Sequence, residues 1–205
     1  MCCRYWTEES PELREIVNEM NRSPLLMRWG KQVKPYGEIR PTDIVPVIAS
    51  NRNGMRSVFP MKWGFTGRML LVNARSESAA KKETFRGSWQ LHRCIIPATC
   101  YFEWEHITGS NGKIIVGDKY MIGAEKKKST NKEINTWLCG LYRMEEGLPV
   151  FVVLTREASD EIRFIHHRMP LMLPGEYVNE WIRPGAEPEE IARHAIEKVS
   201  YIKAG

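Results

Sequence analysis

Two periods run through the apolar and polar positions of this chain. After Ser10, the residues Leu13, Ile16, Val17 and Met20 recur three and four apart, the spacing of one helical face. Ser10 followed by Pro11 supplies the start signal: a side-chain oxygen for the first-turn amides, then a residue whose missing N–H costs nothing there. The same reading predicts a second helix over Ser76 to Arg86 and a third over Ser159 to Ile165. A last helix begins at Pro188, with Ile191, Ala192, Ala195, Ile196 and Val199 along one side. Elsewhere short apolar, β-branched runs dominate. They predict strands over Ile44 to Ala49, Met55 to Pro60, Cys94 to Ala98, Tyr120 to Ala124, Thr136 to Leu141 and Val150 to Thr155. Strands and helices do not alternate regularly, which argues against a doubly wound parallel sheet. The expectation is an α+β fold, a curved and largely antiparallel, barrel-like sheet flanked by helices. No repeat or linker interrupts the 205 residues, so residues 1–205 are expected to form one domain. The polar stretch Glu125 to Glu133 reads as a solvated hairpin loop.

Composition narrows the function classes. With 42% apolar residues the chain can bury a sizeable core, and no apolar run approaches the ~20 residues that span a bilayer. The start, Met-Cys-Cys-Arg-Tyr-Trp, lacks the apolar stretch of a signal peptide, so the expected location is intracellular and cytoplasmic, without a membrane. The five cysteines form no CxxC pair and no regular framework, which argues against both disulfides and a zinc site. No metal, cofactor or obligate protein partner is expected. A net charge of +5 favours a polyanionic partner.

Candidate chemistry begins at Cys2. A small second residue permits removal of Met1, which would leave Cys2 with a free α-amine beside its own thiol. An α-amine titrates near ~7.7–8.0, so an appreciable fraction is neutral and nucleophilic. It can form an imine with an aldehyde, and the thiol can then close a five-membered thiazolidine; Cys3 would need a larger ring. Asn73-Ala74-Arg75-Ser76-Glu77 sits between an apolar run and a predicted helix, a junction that can offer backbone N–H groups and Arg75 to a phosphate. Glu103 lies between Phe102 and Trp104; facing inward it would be a raised-pKa acid–base group, facing outward a surface carboxylate. His166, in Ile165-His166-His167-Arg168-Met169-Pro170, could move protons near neutral pH or merely cap a helix end.

In order, the chain carries Met-Cys-x-Arg at its start, Asn73-Ala74-Arg75-Ser76-Glu77, Glu103-Trp104 after Arg93-Cys94-Ile95-Ile96-Pro97-Ala98, and His166-His167-Arg168-Met169-Pro170. Together these resemble the SOS-response-associated peptidase (SRAP) family, the abasic-site processing proteins. Trp63-Gly64-Phe65 and Arg40-Pro41-Thr42 are similar to further family segments, and the likeness runs from Met1 to about Leu173. One position departs: Cys3 stands where the family has glycine, a residue with wider backbone freedom. The resemblance implies capture of abasic sites in single-stranded DNA by a covalent thiazolidine at Cys2. It further implies that Asn73 positions the opened sugar, and that Glu103 and His166 move protons. Arg4, Arg75 and Arg168 would grip flanking phosphates. Pro41, Trp63 and Trp104 would make apolar or stacking contacts with neighbouring bases.

Two other readings stand beside this one. A thiol peptidase that processes its own N-terminus would recast Cys2, Glu103 and His166 as nucleophile and acid–base pair. A non-catalytic module for single-stranded nucleic acid would rest on the positive charge and seven tryptophans.

Overall fold

The computed structural model describes residues 3–30, 32–109, 112–125 and 136–204. In chain order the strands are β1 Arg4–Thr7, β2 Gly37–Ile39, β3 Ile44–Ser50, β4 Arg56–Trp63, β5 Asn73–Arg75, β6 Arg93–Ala98 and β7 Cys100–Thr108. They continue with β8 Ile114–Ala124, β9 Thr136–Glu145, β10 Leu148–Glu157, β11 Arg168–Pro170, β12 Met172–Leu173 and β13 Val199–Lys203. The helices are α1 Pro11–Met20, α2 Leu25–Arg28, α3 Ser76–Ala79, α4 Glu83–Leu91, α5 Val178–Ile182 and α6 Pro188–Ala192.

Strands β3, β4, β10, β9 and β6 pair in a closed ring, the expected barrel. Every contact in the ring is antiparallel except β10 with β4, where Val150 lies opposite Lys62 and Phe151 opposite Trp63. Closure leaves these strands no free edge. The β9–β10 turn shows the local logic: Glu146 and Gly147 both adopt positive φ, at 51° and 77°, the twist a tight hairpin needs. β5 and β11 attach to β10, and β12 to β9. A second sheet runs in the order β13-β8-β7-β1-β2.

The apolar runs read as strands are continuous because both faces of the barrel strands are covered. In β10, Val150, Val152 and Leu154 belong to a core that includes residues of α1, α4, α5 and α6. The alternate residues Phe151 and Val153 belong to a second core with Tyr5, Tyr101 and Ile122 of the other sheet. α1 forms as its sequence dictates: Ser10 Oγ accepts the Leu13 N–H at 3.1 Å, and Leu13, Ile16 and Met20 are buried.

Several predicted elements come out differently. The helix expected over Ser76 to Arg86 is two short helices, α3 and α4, each burying its own small face: Ala79 in α3, and Phe85, Ser88 and Trp89 in α4. Ser159 to Ile165 contains only the 3₁₀ turn Asp160–Ile162, whose three-residue repeat suits the buried pair Ile162 and Ile165. α6 stops at Ala192, and Val199 pairs with Ala124 as the start of β13. The expected hairpin loop lies outside the described residues apart from Glu125. Among the described residues no helix is long and apolar enough to cross a membrane.

Candidate active site

β1 delivers the beginning of the chain to the second sheet. It pairs with β7 with Arg4 opposite Phe102 and Tyr5 opposite Tyr101, and Cys3 immediately precedes it. Cys2 lies outside the described residues. Burial pushes the Cys3 thiol up, and the negative charge of Glu103 pushes it further, so the first described residue feels that carboxyl directly. Glu103 faces inward and is only 4% exposed. Burial lifts its carboxyl above the ordinary carboxylate range, with His106 among the groups that hold it back. The inward option for Glu103 is therefore the one the fold realises.

His166 sits between the 3₁₀ turn and β11 and is 5% exposed. Its Nδ1 lies 2.9 Å from the Arg168 N–H and 3.3 Å from the Arg168 carbonyl, so either tautomer finds a main-chain partner. Burial, with smaller contributions from His106 and His167, pushes the imidazole down to about 4. The ring is therefore neutral at pH 7. The His106 and His166 rings are 4.4 Å apart and crossed at 68°, while His167 stacks on His166 at 4.4 Å and 21°. The His106 N–H donates to the Ile165 carbonyl at 3.0 Å, tying β7 to the segment that carries His166.

Arg168 requires a correction. It was expected at a phosphate, but it is buried and donates to both carboxylate oxygens of Glu77 at 2.8 Å and to the Thr155 carbonyl at 2.7 Å. Burial would raise Glu77, but the Arg168 hydrogen bonds outweigh it and hold the carboxyl below its ordinary value. Arg168 thus fastens α3, β10 and β11 together and, through its own backbone, orients His166. Trp63 requires another. It is fully buried, 5.4 Å from Tyr5 and stacked on Phe151 at 6.1 Å, with its indole N–H donating to the Val72 carbonyl at 2.9 Å. A ring with both faces in the core has none left for a base. The neighbouring Gly64 has φ 119°, and a Cβ there would stand 2.7 Å from the Leu70 side chain, so glycine is required.

The remaining expected residues keep accessible surface. Arg75 is exposed at the end of β5 and lines a cleft of about 250 Å³ with Glu157, Arg163, His167 and Arg168. Asn73, half-buried, begins the same strand opposite Val153. Arg4 bonds Glu38 at 3.1 Å and lies 5.2 Å above the Trp104 ring, which also carries the Lys119 ammonium at 5.6 Å. Pro41 is half-buried in a tight turn whose next residue, Thr42, is held at φ 76°. The Thr42 N–H reaches the Trp63 carbonyl at 2.8 Å. The sequence reading missed His106, His167, Glu77 and Arg163. Glu77 and His167 stood inside motifs already singled out. His106 was hidden by a register shift between Trp104 and His106 that breaks strict strand alternation. Among the described residues no cluster of His, Cys, Asp or Glu could hold a metal.

A family model described as SOS response associated peptidase (SRAP) matches residues 1–203. The chain is 33% identical to the abasic site processing protein YobE of Bacillus subtilis, covering 84% of this chain and 78% of that protein. It is 30% identical to the abasic site processing protein YedK of Escherichia coli, over 71% of this chain and 65% of the relative. Among solved structures, a protein from Bacteroides thetaiotaomicron superposes with a TM-score of 0.72 at 19% identity, covering 100% of this chain and 92% of the other. A phage-related protein from Bordetella bronchiseptica gives 0.71 at 18% identity, covering 99% and 94%. At that identity the likeness concerns the fold alone.

Proposed function

The chain belongs to the SOS response associated peptidase (SRAP) family, and from that premise we propose that it captures abasic sites in single-stranded DNA as a covalent thiazolidine at Cys2. The observation that carries the proposal is the β1–β7 pairing, which holds Cys3, the residue after the nucleophile, under the charge of the buried Glu103. Met1 must first be removed. Glu103, whose carboxyl burial pushes above its ordinary value, gives a proton to the ring oxygen as the closed sugar opens to its aldehyde and takes back the one that the C1 hydroxyl loses. The Cys2 amine attacks the aldehyde carbon, His166 carries the two protons that nitrogen loses to the carbonyl oxygen, and loss of water yields the imine. The thiol sulfur then adds to the imine carbon while its proton moves to nitrogen, which closes the ring. Asn73 orients the opened sugar. Arg75, with Arg163 and His167 in its cleft, meets a flanking phosphate, and Arg4 with Trp104 meets the strand from the second sheet. Arg168 and Trp63 act by positioning.

The test is a denaturing gel of protein mixed with an abasic single strand. Wild type and Cys3→Gly should give a heat-stable adduct; Cys2→Ser should not, because its oxazolidine reverts more readily. An adduct from Cys2→Ser but not from Cys3→Gly would overturn the assignment. Peptide cleavage without DNA adduct would favour the thiol-peptidase alternative.

A further inference from the structure

The second sheet divides its residues between two faces, because successive side chains along a strand point to opposite sides. Tyr5, Ile39, Tyr101 and Ile122 take the inner face and are buried in the core. The outer face is charged and aromatic. There Arg4 lies opposite Phe102, Glu38 opposite Trp6, and Lys119 opposite Trp104. Arg40, two residues beyond Glu38, joins them from just past the end of β2. Three cations converge on one carboxylate. One oxygen of Glu38 accepts from the Arg4 guanidinium at 3.1 Å and from that of Arg40 at 2.7 Å. The Lys119 ammonium stands 3.6 Å from the other oxygen. Burial would raise Glu38, but Arg40, Arg4 and Lys119 outweigh it and hold the carboxyl below its ordinary value. Asp43, the next acid along the chain, accepts from Lys34 at 3.2 Å and from the Arg40 N–H at 2.9 Å. Aromatic rings back two of the cations, Arg4 at 5.2 Å from Trp104 and Lys119 at 4.1 Å from Phe102. The side chains of Arg4, Arg40 and Lys119 nevertheless stay 34%, 57% and 27% exposed, so an anion from solvent can reach all three. Arg4 also follows Cys3 directly, which puts this positive charge where the start of the chain enters the sheet.

We propose that Arg4, Arg40 and Lys119 form a seat for one backbone phosphate of the bound strand, and that Glu38 is the carboxylate this phosphate displaces. The inference rests on the proposed capture of abasic single strands and adds Arg40, Lys119 and Glu38 to that interface. In the free protein Glu38 gathers three like charges that would otherwise repel one another. A phosphodiester brings the same negative charge on two acceptor oxygens, which suits the two guanidinium groups. Phosphate and Glu38 compete for the same donors, so the carboxylate lowers affinity while it keeps the cations in position.

The test is equilibrium binding of the full chain to a labelled single strand carrying a non-reactive tetrahydrofuran site. Arg40→Gln and Lys119→Gln should each weaken binding roughly three- to tenfold, the worth of one hydrogen-bonded contact. Each should also make the slope of log affinity against log salt shallower by about 0.7. Glu38→Gln should tighten binding roughly threefold, because the competing charge is gone while the side chain keeps its shape. Replacing each phosphate in turn by an uncharged methylphosphonate locates the seat. At one linkage the wild type should lose affinity and Lys119→Gln should lose nothing further. Weaker or unchanged binding by Glu38→Gln would make the cluster a structural brace and overturn the proposal. Losses that add at every linkage would reduce it to a diffuse basic surface and overturn it equally. Failure of wild type to form an adduct on an abasic strand would sink the proposed function alone, since binding to the tetrahydrofuran strand still decides the phosphate seat.

Discussion

Replacing His166 with Gln tests the electrostatics of the site without any DNA. The amide oxygen can still accept the Arg168 N–H that now reaches Nδ1 at 2.9 Å, so the contact survives while the titration disappears. The native imidazole is held down to about 4, against an ordinary 6.5. Each pKa unit is worth about 1.4 kcal/mol, so the linked effect amounts to about 3 kcal/mol. Below pH 6.5 the unfolded chain binds a proton at this residue and the native chain does not. The stability tied to a neutral His166 is therefore complete above pH 6.5 and is lost as pH falls toward 4. Glu103 works the other way: its raised carboxyl keeps a proton in the native state that the unfolded chain has released, so its contribution is lost as pH rises. Both proteins contain Glu103, so the comparison cancels it. Urea unfolding of wild type and His166→Gln, from pH 7.5 down to pH 4, should show wild type losing about 3 kcal/mol relative to the variant. Parallel curves, or an NMR titration placing His166 near 6.5, would refute the argument.

Three further perturbations follow from the geometry. Trp63→Ala should lower stability by about 3–5 kcal/mol, measured by urea unfolding, because a fully buried ring is removed from between Tyr5 and Phe151. Glu77→Gln leaves the buried Arg168 without its carboxylate; it should cost about 1–3 kcal/mol of stability and slow adduct formation, since Arg168 orients His166. Arg75→Ala should weaken binding of a tetrahydrofuran-containing single strand and make the slope of log affinity against log salt shallower by about 0.7, the loss of one phosphate contact; an unchanged slope would remove Arg75 from the interface.

Local chemistry was sufficient to read the helix after Ser10, where cap, proline and apolar spacing agree, and the barrel strands, whose apolar runs are long because both faces are covered. It also singled out Glu103 and His166, since their motifs carry residue types whose chemistry is legible one at a time. Burial was not legible. Whether Glu103 faces inward depends on β1 pairing with β7, a contact between residues far apart in the chain. Trp63 and Arg168 looked like DNA contacts because an aromatic ring and a guanidinium are equally suited to a base or a core, a phosphate or a carboxylate. Only the packing of Trp63 against Phe151 and the approach of Glu77 to Arg168 chose between those uses. The histidine cluster lay furthest from the sequence: the register shift in β7 and the turn before β11 bring together His106 and His166, sixty positions apart in the chain. Residue types thus set which reactions were open to the chain, and the long-range pairings, which fix burial and neighbours, decided which side chains carry them.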